Sequence, residues 1–159
     1  MRLSSTIHQF FSKYLPHIKA LSPHTIKAYR DCFKLFLPYA ANYHGIKISS
    51  LQIAHLSVDV ILDFLDSLEK QRHNSAKTRN SRLAALKSLA KMIRFMYPDQ
   101  KQLADRILSI PQKRSQRQLI GFLYPYEIDL ILQTVDLKNA LGVRDYCLLQ
   151  LLYDSGARA

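Results

Sequence analysis

The chain has 159 residues, 48% of them hydrophobic, with nine Tyr and seven Phe, enough to bury a core of its own. Twenty-three Lys and Arg stand against twelve Asp and Glu, a formal charge of +11 at pH 7. That excess is unusual for a metabolic enzyme and typical of proteins that meet polyanions, with nucleic acid as the leading partner and an anionic membrane surface as the competitor. No apolar stretch approaches the roughly 20 residues a membrane helix needs, and the start MRLSSTIHQFF lacks the apolar core of a signal peptide. Cys32 and Cys147 stand without CxxC or Cys/His spacing, and the six His are scattered. These features predict a cytoplasmic protein with reduced thiols, no metal and no cofactor.

Four glycines in the whole chain and long stretches of 3.6-residue periodicity predict an all-α protein. The first helix is expected over Thr6 to Tyr14, ending before Pro16. The second opens with Ser22 as N-cap and Pro23 at the first helical position. Ile26, Tyr29, Phe33, Phe36 and Ala40 recur at spacings of 3, 4, 3, 4 as its buried face, and Gly45 ends it. A third helix is expected after Ser57, burying Ile61, Leu62, Leu65 and Leu68 and stopping near Arg72. The fourth starts at Asn74 or Ser75 and buries Leu83, Leu86, Ala90, Ile93 and Tyr97, again at 3, 4, 3, 4, until Pro98. A short helix follows near Gln100 to Leu108. Residues 1–108 thus read as one four-helix domain.

Ser109 to Gly121, SIPQKRSQRQLIG, is polar, basic and proline-marked with no apolar period, and reads as a linker. Tyr124 to Val135 and Val143 to Asp154 then form two more predicted helices. A pair of this size is too small to bury a core, so residues 122–159 look like the opening of a second domain. The final stretch LLYDSGARA follows a helix that Leu148, Leu149, Leu151 and Leu152 would bury. Gly156 stops that helix, and Arg158 lies just beyond.

The charge is unevenly placed. The third helix carries Asp59, Asp63, Asp66 and Glu69, whereas Lys70 to Arg94 holds eight basic side chains (Lys70, Arg72, Lys77, Arg79, Arg82, Lys87, Lys91, Arg94) and no acid. The second helix sets Lys27, Arg30 and Lys34 beside its buried stripe. Free helices usually mix both signs, so two unmixed basic ridges on helices two and four suit a shared anionic ligand, against the alternative of a merely solvated face. Short polar residues open these helices: Ser22, His24 and Thr25 on the second, Asn74, Ser75 and Thr78 on the fourth. Helix N-termini present free N–H groups and the positive dipole end to phosphate, and Ser or Thr hydroxyls add donors. Capping alone accounts for Ser22; for Thr25 and Thr78 both capping and phosphate contact stand open. A membrane helix would expose an apolar face, and here those faces are needed for the bundle, so nucleic acid is preferred.

LSPHTIKAYRDCFKLFL (Leu21 to Leu37), NSAKTRNSRLAALKSLAKMIRFM (Asn74 to Met96) and VRDYCLLQLLYDSGAR (Val143 to Arg158) resemble, in order and spacing, the tyrosine recombinases, or phage-integrase family. The first two resemble its helical, SAM-like core-binding domain, which clamps one side of DNA; the third resembles the start of its catalytic domain. The resemblance implies duplex DNA at a recombination site as partner, with His24, Thr25, Lys27, Arg30, Lys34, Ser75, Lys77, Thr78, Arg79, Arg82, Lys87, Lys91, Lys113, Arg114 and Arg117 as DNA-binding residues. It implies that Arg158 binds the non-bridging oxygens of the scissile phosphate. Family members continue with a serine-glutamate segment, a lysine on a hairpin, a His-x-x-Arg motif, a second His or Trp and a tyrosine nucleophile. The 159 residues end before these, and none of the nine tyrosines matches the nucleophile. The expectation is therefore a truncated recombinase, monomeric in isolation, that keeps DNA binding and lacks catalysis. The alternatives are a non-catalytic regulator that occupies recombination sites, and a module that docks on full-length recombinase protomers.

Overall fold

The computed structural model describes residues 2–115, 121 and 123–156. These residues form seven α-helices joined by short 3₁₀ and π-helical pieces; no β-strand occurs among them, and Arg2 and Gln52 make one isolated antiparallel bridge. None of the helices is long and apolar enough to cross a membrane. The chain divides into two compact units, Met1–Gln116 and Arg117–Ala159.

The first unit opens with α1 (Leu3–Gln9), which runs without a break into a π-helical segment, Phe10–Ile18. The expected stop before Pro16 is corrected here. In an α-helix the proline ring would strike the carbonyl four residues back. The ladder instead widens, the Lys19 N–H reaching the Tyr14 carbonyl five residues back at 2.9 Å. Helix α2 (Pro23–Tyr43) starts at the Ser22 cap and ends at Gly45, whose φ of +63° suits a residue without Cβ. It buries Cys32, Phe33, Phe36, Ala40 and Ala41, while Ile26 and Tyr29 sit half-buried at the core's edge.

Helix α3 (Val58–Arg72) buries Val60, Ile61, Phe64, Leu65 and Leu68. Leu62, expected inside, is 41% exposed, because a helix that buries Ile61, Phe64, Leu65 and Leu68 turns position 62 about 100° away. His73 takes the left-handed conformation and the Asn74 N–H returns to the Leu68 carbonyl at 3.2 Å, closing the helix tightly before α4 (Ala76–Met96). Helix α4 buries Leu83, Ala85, Leu86, Leu89, Ala90, Met92 and Ile93. Tyr97 is half-buried, its hydroxyl donating to Gln9 Oε1 at 2.9 Å. Helix α5 (Lys101–Leu108) packs back on α4 and adds Ala104 and Ile107 to the core.

An aromatic chain holds the centre. Phe11, Phe10, Phe33, Phe36 and Phe64 meet edge to face at centroid distances of 5.1 to 6.4 Å, the arrangement that sets a positive ring edge against a negative face. It links the N-terminal segment, α2 and α3 through ring contacts.

The second unit consists of α6 (Pro125–Gln133) and α7 (Ala140–Ser155). Tyr124 N–H donates to Glu127 Oε2 at 2.8 Å at the start of α6, and Asn139 Oδ1 caps α7 through the Gly142 N–H at 2.7 Å. That cap starts α7 three residues before the expected Val143. A Cβ on Gly142 would lie 1.8 Å from the Asp136 carbonyl oxygen, so the position admits no side chain. Gly156 ends α7 at φ +60°. Leu132 is the buried residue of α6, and α7 has none: Leu148, Leu149 and Leu151, an apolar stripe that needs a larger domain to cover it, are exposed. Two helices cannot surround an apolar stripe.

Candidate nucleic-acid interface

Helices α2 and α4 begin with the same local device. Ser22 Oγ accepts from the Thr25 N–H at 3.3 Å and lies 3.0 Å from the Thr25 hydroxyl. Ser75 Oγ accepts from the Thr78 N–H at 3.3 Å and lies 3.2 Å from the Thr78 hydroxyl. Each cap satisfies one of the donors that a helix start leaves open. The remaining N–H groups and the positive end of each dipole are left for a ligand.

The packing of α2 on α4 brings the two starts to one open groove of about 650 Å³. His24 and Thr25 line it from α2, and Lys77, Thr78 and Arg82 from α4; Asp31 is its one carboxylate. Two polar contacts fasten the helices beneath: Arg82 Nη1 donates to the Ala28 carbonyl at 3.4 Å, and Cys32 Sγ to the Arg82 carbonyl at 3.5 Å. Cys32 is fully buried, which pushes its thiol up to about 12, with the Arg82 charge opposing slightly. It therefore packs as a small apolar group.

The other expected residues fall into distinct situations. On α2, Lys27 is exposed, Lys34 is exposed with its Nζ 3.8 Å from Asp31, and the exposed Arg30 sets its guanidinium 5.8 Å from the Phe11 ring centroid. Ser75 is the exposed cap. On α4, Lys91 is exposed, while Lys87 is half-buried and its ammonium is held below the usual lysine range, first by burial and then by the Lys91 charge. A group so placed loses less hydration on pairing with an anion than a fully solvated lysine does.

Arg79, expected among the DNA-binding residues, is turned inward. It is 6% exposed and lies under α3, with Nε 3.5 Å from Glu69 Oε2 and Nη1 3.5 Å from Asn80 Oδ1. Nε has no well-aligned hydrogen bond. A guanidinium enclosed in this way does not reach a groove edge. Lys113, on the linker, is also turned to α3, its Nζ 2.6 Å from Glu69 Oε2, and Arg114 is exposed. Arg117 and Arg158 lie outside the described residues.

Two features escaped the charge pattern. Ser81 and Ala84 line the groove floor between Lys77 and Lys91. Positions 77, 81, 84, 88, 91 and 95 form one stripe at spacings of 4, 3, 4, 3, 4, reading Lys, Ser, Ala, Ser, Lys, Phe. The spacing carries the signal: small side chains flanked by lysines let a ligand approach the helix backbone. Asn80 is the second feature, its amide bonding both backbone groups of Lys113. A lone Asn on a helix gives no hint of such a partner.

The acidic side chains of α3 lie elsewhere. Asp59, Asp63, Asp66 and Glu69 line a second recess, with Arg79 and Lys113, and none of them borders the groove. Asp66 pairs with Lys70 at 2.6 Å.

Comparison with known proteins gives the family. Residues 7–94 match the model of the phage integrase N-terminal SAM-like domain. An integrase/recombinase of Sinorhizobium fredii, y4rC, is 33% identical over 156 residues, which is 98% of this chain and 47% of that protein. A second from the same organism, y4rD, is 32% identical over 98% of this chain and 56% of its own length. The tyrosine recombinase XerC of Oceanobacillus iheyensis is 28% identical over 93% of this chain and 46% of its own. The chain thus spans about half the length of the curated relatives it matches, and no solved structure matches it. With the SAM-like model covering the helices that build the groove, and recombinases aligned along nearly all 159 residues, the chain belongs to the tyrosine-recombinase, or phage-integrase, family.

Proposed function

We propose that the first unit is the DNA-binding portion of a site-specific tyrosine recombinase and clamps duplex DNA through the α2–α4 groove. The observation that carries this reading is the convergence of two Ser-capped helix starts and their basic flanks on one groove. Phosphates sit at the open N–H groups of both starts, with Thr25 and Thr78 hydroxyls beside them. Lys77 and Lys91 lie 14 residues apart on α4, about 21 Å along its axis, long enough to follow the backbone past several nucleotides. The small side chains between them bring α4 close to the duplex. Arg82, half-buried at the groove wall, is the arginine that can approach a base edge.

The linker, residues 109–121, adds Arg114 and Arg117 to the contact. Residues 122–159 open the catalytic domain, with Arg158 as the phosphate-binding arginine. Only that position falls on the family's catalytic motif in these 159 residues, so strand cleavage is not assigned to them alone.

Salt dependence tests the clamp. If Lys27, Lys34, Lys77, Arg82, Lys87 and Lys91 each neutralise one phosphate, log K against log salt has a slope of about −5. Lys77→Ala and Lys91→Ala each make it shallower by about 0.9. A slope near zero, or equal affinity for a neutral polymer, removes the reading.

The exposed apolar side chains of α7, Leu148, Leu149 and Leu151, favour a second role in which the unit docks on recombinase protomers. Light scattering of this chain with a full-length recombinase, on and off DNA, separates that role from solitary binding.

A further inference from the structure

Lys113 stands at the start of the linker in an unusual double attachment. The Asn80 amide holds its backbone on both sides, donating to the Lys113 carbonyl at 2.7 Å and accepting from the Lys113 N–H at 3.0 Å. Its ammonium is held separately, 2.6 Å from Glu69 Oε2. Glu69 already has a cation of its own in the buried Arg79. The two attachments differ in strength. The reciprocal amide pair fixes two backbone groups at once and mimics one rung of a β-ladder. The Lys113–Glu69 pair is an exposed ion pair, with half of the lysine side chain in solvent, and such pairs are weak and screened by salt.

We propose that Lys113 is a reserve phosphate ligand: Glu69 holds its ammonium in the free protein, and DNA takes it, while Asn80 keeps the residue's backbone fixed. The inference rests on the DNA-clamp reading and adds to it. Three features support the exchange. Asn80 projects from α4, the helix that carries Lys77 and Lys91, so the fixed backbone of Lys113 travels with the DNA-facing element. Departure of the ammonium leaves no buried charge alone, because Arg79 remains beside Glu69. The α3 recess carries Asp59, Asp63, Asp66 and Glu69 on one helix, a row of anions that competes with phosphate for the same lysine. The carboxylates therefore oppose DNA binding by the linker at low salt, where such pairs are strongest.

The test uses the full chain, a labelled duplex and a salt series, with K113Q, E69Q and the double variant. K113Q is expected to make the slope of log K against log salt shallower by about 0.9, one phosphate contact. E69Q is expected to raise affinity, most at low salt, and to lose that gain on the K113Q background. An unchanged slope in K113Q overturns the proposal, since Lys113 then never reaches phosphate. An equal gain from E69Q with and without Lys113 also overturns it, since the effect is then one of net charge. Should E69Q unfold for want of a partner to Arg79, K113Q decides alone, because Lys113 lies outside the core. A wild-type chain with no salt slope fails the clamp itself, a different outcome from a wild-type slope that K113Q leaves intact.

Discussion

Replacing Arg79 by methionine separates two meanings of a basic residue on α4, the helix proposed to face DNA. The wild-type side chain is 6% exposed, with its guanidinium on Glu69 and Asn80 under α3. Removing one member of a fully buried ion pair costs about 3–5 kcal/mol. Glu69 retains a fifth of its side-chain exposure and keeps Lys113 as a second cation, so its residual charge is partly compensated. Arg79→Ala is therefore expected to cost about 2–3 kcal/mol, from the lost pair and the lost packing of the aliphatic stem. Arg79→Met keeps most of that stem and is expected to cost about 1 kcal/mol less. In thermal unfolding of a unit of this size, each kcal/mol appears as a shift of about 4 °C. DNA affinity measured well below the transition should keep its salt slope and its preference between sequences in both variants. A methionine variant of near-native stability that has lost discrimination between sequences would refute the reasoning and return Arg79 to the DNA.

Ser75→Ala removes the cap of α4 and is expected to cost about 1 kcal/mol, seen as a lowered melting temperature. DNA affinity should fall with it, because the Thr78 hydroxyl loses its neighbour; full affinity would disconnect cap from groove. Burial pushes the Cys32 thiol up to about 12, so at mildly alkaline pH a thiol reagent should label the exposed Cys147 quickly and the buried Cys32 only on unfolding. Two fast thiols would contradict the packing of α2 against α4. Gly142→Ala places a Cβ 1.8 Å from a carbonyl oxygen and should cost about 1–3 kcal/mol locally, with hydrogen exchange speeding in the first turn of α7; unchanged protection there refutes the cap geometry.

Much of the fold was legible because its signals are local. Ser22 with Pro23, Ser57 and Ser75 start the helices they were expected to start, since a cap depends on a few consecutive residues. Apolar periodicity located the inner faces of α2 and α4 because a helix must repeat its burial every 3.6 residues. Pro16 misled because the rule that proline stops a helix assumes an α-helical ladder, and the chain changes ladder instead. Leu62 misled because an apolar residue beside a stripe is not in it. Arg79 was illegible for a deeper reason. Its role comes from Glu69, ten residues earlier on another helix, and only the packing of α3 on α4 shows that the two face each other.

The net charge of +11 overstates what the first unit offers to a polyanion, and the structure supplies the correction. Among the eight basic side chains between Lys70 and Arg94, Lys70 is paired with Asp66, Arg79 with Glu69 and Arg94 with Asp105 at 3.1 Å. Arg82 spends one donor on the Ala28 carbonyl. Arg72, Lys77, Lys87 and Lys91 have no carboxylate partner among the described residues, and Lys77 and Lys91 share the small-residue stripe. Pairing thus removes charge near the α3 face and toward α5, and leaves it on Lys77 in the first turn of α4 and on Lys87 and Lys91 farther along it. At the start of α4 the dipole end and Lys77 act on an anion in the same direction. Arg79 contributes to the same pattern: it neutralises Glu69 from beneath, the carboxylate that Lys113 of the linker also reaches.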